Sequence, residues 1–157
     1  VSCGFSLDHY GELLEAAREG GYRWASFSQE PQQGDLLLRH DVDLSLDAAI
    51  EMAELEASVG ARSTYFLMTQ SVVYNLGSSE GRRALNRLRE LEHGVGLHAV
   101  WPNLELDDRF DPVVAWHNPD RDYMTEPVES AVNVMQRPFF DSDHYRSDSN
   151  QHWRHGC

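Results

Sequence analysis

The chain contains no lysine. All 13 of its basic residues are arginine, and 26 acids set a net charge of −13. The arginines gather once, in RRALNRLRELEHG, where acids on the same helix dilute them. Without a basic stripe to neutralise phosphates, the composition argues against nucleic acid as a partner. No apolar run approaches the length that spans a bilayer, so no membrane partner is expected. The opening residues, VSCGFSLDHYGEL, lack the basic start and apolar centre of a secretory leader, which favours a cytoplasmic location. There are only two cysteines, Cys3 and Cys157, and no Cys-x-x-Cys metal or redox motif. Free thiols in a reducing compartment are the simpler reading of that pair. Internal repeats and low-complexity linkers are also missing.

What is present is a globular composition. Hydrophobic residues make up 41% of the 157 positions, with four Trp, six Tyr and six Phe. That length and content fit one domain, taken as residues 1–157, with a sizeable core. SLDHYGELLEAAREGGY places Leu7, Tyr10, Leu13, Leu14 and Ala17 at helical spacing, with Ser6 as N-cap and Gly20–Gly21 as the stop. SLDAAIEMAELEASVG is a second amphipathic helix, capped by Ser45, favoured by Asp47 in its first turn and closed by Gly60. SSEGRRALNRLRELEHG is a third, ending at Gly94. Between and after them, YRWASF, DLLLRHDV, STYFLM, VGLHAV, VVAWH and AVNVMQ read as strands. Apolar strands alternating with amphipathic helices predict parallel βα units, either an open doubly wound sheet or a barrel. Both place function at the C-terminal ends of the strands. After Trp101 the helical pattern fades into Pro-, Asp- and Asn-rich sequence. The pattern stops without a last helix, so the domain is expected to be incomplete at its C-terminus.

The chemistry gathers at the strand ends. In LLLRHDVDLS a strand expected to be buried on both faces runs into Asp41 and Asp43, two residues apart and so on one face. Two carboxylates there repel unless a cation or a proton intervenes. A divalent metal held by Asp43 would resolve the conflict and leave Asp41 as a candidate general base. His98, at the tip of VGLHAV, is a second ligand candidate, and His117, ending VVAWH, a third. Each residue has a plainer reading. Asp43 could cap the following helix, Asp41 could pair with Arg39 or a distant arginine, His98 could be a satisfied core histidine, and His117-Asn-Pro could be a simple turn. His93 reads as a surface residue compensating a helix dipole, and His144, His152 and His155 as solvated loop residues.

RHDVD, STYF and VGLH, at these spacings, resemble the polysaccharide deacetylase family, the NodB-homology group of carbohydrate esterases. The likeness is closest to the branch whose first motif reads R-H-D-V-D. It runs closely over residues 5–100 and loosely beyond. The resemblance implies a distorted (β/α) barrel of about seven strands. It also implies a divalent metal, usually zinc, and hydrolysis of acetyl groups on sugars or related linear amides. By motif, Asp41 matches the catalytic base, Asp43 the metal-binding aspartate and His98 the first metal histidine. SDSNQHW resembles a later motif in which an aspartate, here Asp148, supports the catalytic site and a tryptophan, here Trp153, lines the substrate. The chain also departs from the family. A second metal histidine normally follows the first by about one helical turn, where HAVWPN supplies Pro102 and Asn103. Either His117 replaces it or the site is altered. The arginine motif that holds the base is reduced to a faint match, Arg137–Pro138 in QRPFF. Two functions therefore stay open: a zinc-dependent deacetylase of a saccharide or small amide, and a silent relative that binds without turnover.

Overall fold

Serines set where the helices begin. In the computed structural model, which describes residues 4–140 and 145–146, Ser6 accepts a bond from His9 N at the head of α1 (Leu7–Glu19). Ser45 does the same for Ala48 N at α2 (Leu46–Ser58), and Ser78 for Gly81 N at α3 (Ser79–Glu90). Each cap satisfies an amide that the first turn cannot, and Asp8, Asp47 and Glu80 add negative charge beside the same N-termini.

Strands β1 (Arg23–Trp24) and β2 (Asp35–Leu36) form a small parallel pair, bound outside by the Arg23–Asp35 ion pair. Strands β3 (Leu38–Val42), β4 (Ser63–Leu67), β5 (Gly94–Ala99), β6 (Val113–Trp116) and β7 (Val132–Asn133) form one five-stranded sheet. All of its pairings are parallel and its order is β3-β4-β5-β6-β7. Neighbours in sequence are neighbours in space, with none of the reversal that makes a doubly wound sheet. Among the described residues the sheet does not close, so β3 and β7 are its edges.

Three expectations need correction. DLLLRHDV is not one continuous strand but breaks at Leu37 into β2 and β3. Most of its residues are half-buried, with Asp41 exposed and Val42 buried, because β3 is an edge and the fully covered strands are β4 and β6. Helix α3 does not run to Gly94. It stops at Glu90, and the turn out of it is made by Glu92 at φ 61°, whose carboxylate pairs with Arg62. Gly94 instead opens β5, where a Cβ would stand 2.9 Å from Thr64 Oγ1.

The alternation of side chains splits the sheet into two environments. Toward the helices point Val42, Tyr65, Leu67, Val95, Leu97 and Val114, packed with Ala53 of α2 and Leu88 of α3. Toward the other face point Phe66, Val113 and Ala115, packed with Phe27 and Val134. Phe66 fits only because its β5 neighbour is Gly96, where a Cβ would lie 2.5 Å from the ring. Burying an aromatic ring of this size contributes roughly 1.5–3 kcal/mol. The short word R-H-D-V-D is divided by the same alternation. Arg39, Asp41 and Asp43 share the Phe66 face, and His40 and Val42 share the helix face.

On the helix face His40 meets a carboxylate with no exposed surface, Glu56 of α2. Glu56 Oε1 accepts from Tyr10 (2.5 Å) and His40 Nε2 (2.6 Å), and Oε2 accepts from Ser63 (2.6 Å) and Tyr65 (2.7 Å). Burial pushes the carboxyl pKa up. The His40 hydrogen bond and charge, with the Ser63 and Tyr10 hydroxyls, outweigh it and hold the group at about 2. His93 completes this cluster and is no surface residue. It is 5% exposed, its Nε2 donates to Ala53 O at 3.0 Å and its Nδ1 accepts from Ser63 N at 3.2 Å. The α3–β5 turn ends the helix one turn early and brings the ring inward, where burial lowers its pKa. Among the described residues no helix is long and apolar enough to cross a membrane.

Candidate metal centre

Parallel strands deliver all their C-terminal ends to one edge, and three of those ends converge. Asp43 lies one residue past β3, His98 is the penultimate residue of β5, and His117 lies one residue past β6. Their donor atoms all fall within 4.8 Å of one another. Asp43 Oδ1 stands 3.2 Å from His98 Nε2 and 3.1 Å from His117 Nδ1, and the two ring nitrogens are 3.1 Å apart. Ligand atoms around a tetrahedral zinc at bond lengths near 2.0–2.1 Å lie about 3.3 Å apart, so this triangle is of the right size.

Protonation strengthens the fit. His98 Nδ1 lies 3.0 Å from the carbonyl oxygen of Ala115, its register partner on β6, a contact that only a protonated Nδ1 makes favourable. The neutral ring therefore turns its Nε2 lone pair toward Asp43. Burial lowers the His98 pKa, opposed by the charges of Asp41 and Asp43. Asp43 Oδ1 is sealed from solvent and has no hydrogen bond of acceptable geometry. An orphaned carboxylate oxygen facing a lone pair is costly unless a cation lies between them. A divalent metal would satisfy all three donors at once.

Asp41 sits beside this triangle, its Oδ2 3.9 Å from His98 Nε2. Arg39, two residues earlier on the same strand, grips it with both prongs, Nε to Oδ1 at 2.8 Å and Nη2 to Oδ2 at 2.6 Å. The guanidinium lies 5.7 Å from the centroid of the Phe66 ring. The Asp41–Arg39 pair foreseen as the plainer reading is present, but it holds the carboxylate at the site rather than removing it. Asp43 does not cap α2, because Ser45 does. His117 reaches the triangle from the next strand over, at the end of β6. The turn that carries it is made by Asn118 at φ 45°, whose Nδ2 lies 3.2 Å from His117 Nε2.

One neighbour of the site carried no sequence signal. The Tyr74 hydroxyl accepts from Met68 N at 2.8 Å and donates to Val42 O at 2.7 Å, joining the ends of β4 and β3. Burial, with the nearby Asp43 charge, pushes its pKa up to about 12. Glu56, at helical spacing from Ala49 and Ala53, lies on the buried stripe of α2, which its sequence position signals. Asp148, Trp153, His144, His152, His155, Cys3 and Cys157 lie outside the described residues. Comparison with protein-family models, with curated proteins and with solved structures finds no match to this chain.

Proposed function

We propose that this chain is a zinc-dependent hydrolase that removes acetyl groups from an N-acetylated saccharide or a related amide, on the wall of a distorted (β/α) barrel. The observation that carries the reading is the meeting of Asp43, His98 and His117 at the C-terminal edge of a parallel sheet, with Asp41 beside them. Two imidazole nitrogens and one carboxylate suit zinc and similar divalent ions. Bound there, such an ion would supply a Lewis acid that acidifies a water and polarises an acyl carbonyl. Asp41 is the group placed to take the proton from the attacking water. Its two bonds to Arg39 fix the carboxylate in orientation while leaving further lone pairs free, since a carboxylate offers about four acceptor sites. The family likeness supplies the substrate class, and its later motif, SDSNQHW, the roles of Asp148 and Trp153. The sequential strand order favours a barrel wall over a doubly wound sheet.

A second reading, a relative that binds metal or saccharide without turnover, is favoured by the engagement of both Asp41 oxygens with Arg39. Acetate release from N-acetylated oligosaccharides by the zinc-loaded protein separates the two. The hydrolase reading expects release that falls by roughly 10²–10⁴-fold in Asp41→Asn with zinc content unchanged. Zinc bound without acetate release from any N-acetylated saccharide or small amide would favour the silent relative.

A further inference from the structure

The β3–β4 register pairs Val42 with Leu67. In an unbroken parallel ladder of this register, Met68 N–H is the donor that faces Val42 C=O. Here the Tyr74 hydroxyl stands between them, taking the first as donor and the second as acceptor. Inserting an oxygen atom into a ladder position holds the two strand ends further apart than a direct bond would. Val42 is the last residue of β3, and the next residue is Asp43. The loop that brings Tyr74 there is itself pinned, because Ser71 Oγ accepts from both Val73 N (3.1 Å) and Tyr74 N (3.3 Å). The hydroxyl is therefore delivered by a built turn rather than by chance contact.

We infer that Tyr74 is a positioning residue of the metal centre: its hydroxyl wedges the end of β3 away from β4 and thereby sets the Asp43 carboxylate on His98 and His117. The inference rests on the proposed metal site and extends it to a residue that touches none of the three donors through its hydroxyl. It makes a distinctive demand on the variant Tyr74→Phe. Removing the hydroxyl frees Met68 N and Val42 O to bond each other directly, which repairs the ladder and spares stability. The strand end then closes and draws Asp43 off the triangle.

The test compares wild type with Tyr74→Phe by urea unfolding without metal, by zinc affinity in chelator competition, and by the visible spectrum of the cobalt-substituted protein. Expected are a small change in unfolding midpoint, a zinc Kd weaker by about tenfold or more, and an altered cobalt spectrum, the usual scale for losing a partner that orients a ligand. A clear loss of stability with unchanged zinc affinity would make Tyr74 a merely structural clamp and overturn the inference. A crystal structure of metal-free Tyr74→Phe gives an answer independent of zinc. Asp43 displaced from its 3.2 Å approach to His98 supports the wedge, and Asp43 unmoved refutes it. Should the wild type bind no zinc, the metal reading fails on its own account, and the crystal structure alone decides the role of Tyr74.

Discussion

Replacing Glu56 by glutamine removes the charge from a carboxylate that has no exposed surface and leaves its four hydrogen-bonding partners in place. Two of those partners are tyrosines, one a serine and one a histidine, and all four currently donate. A glutamine amide presents one acceptor oxygen and one N–H₂ group, so two of the four partners lose their acceptor and face N–H donors instead. The magnitude follows from the pKa. Folding takes the group from an ordinary 4.5 to about 2, and at about 1.4 kcal/mol per unit that depression is worth roughly 3 kcal/mol of stability. Because the folded value lies below the unfolded one, the contribution is complete above about pH 5 and is lost as pH falls toward 2. Urea unfolding of wild type and Glu56→Gln, followed by circular dichroism at several pH values, reads the effect directly. The expected gap is about 3 kcal/mol at pH 7 and roughly half of that at pH 3. The two chains share every other carboxylate, so their general acid destabilisation cancels in the difference. A gap that stays constant from pH 7 to pH 3 would refute the reasoning. So would a gap near zero at pH 7.

Gly96→Ala places a Cβ 2.5 Å from the Phe66 ring and 2.9 Å from Val113. Urea unfolding should show a cost of about 2 kcal/mol, since both neighbours are buried and overpacking of this kind typically costs 1–3 kcal/mol. Arg39→Met keeps the aliphatic stem and deletes both bonds to Asp41. On the proposed chemistry kcat for acetate release should fall by about 10²-fold, the cost of a misplaced reacting group, with zinc content unchanged by elemental analysis.

The helices and the strands of the sheet could be located from periodicity and capping, because a serine before an apolar stripe and a run of β-branched residues act locally. Sheet order and burial could not. Three leucines in succession look the same whether a strand lies at the centre of a sheet or, like β3, at its edge with a break at Leu37. The end of α3 departs from the glycine stop signal at Gly94 because the left-handed turn is taken by Glu92, whose carboxylate pairs with Arg62, distant in sequence. The expected surface position of His93 fails for the same reason, since one turn of helix decides whether its ring points out or in. Asp41, Asp43, His98 and His117 were all legible, because parallel βα topology brings strand ends together whatever lies between them. The place of Glu56 on the buried stripe of α2 follows from its spacing to Ala49 and Ala53, but its role and that of Tyr74 exist only through partners on other elements. For Glu56 these lie on α1, β3 and β4, and for Tyr74 at the facing ends of β3 and β4.

The central claim is that Asp43, His98 and His117 hold one metal ion together. Purified protein, loaded with zinc and freed of excess, is to be analysed for bound metal beside Asp43→Ala, His98→Ala and His117→Ala, each checked for folding by circular dichroism. One zinc per wild-type chain, lost in all three folded variants, is the predicted result. A wild type that holds no divalent metal, or a His117→Ala variant that binds zinc as tightly as wild type, would contradict it.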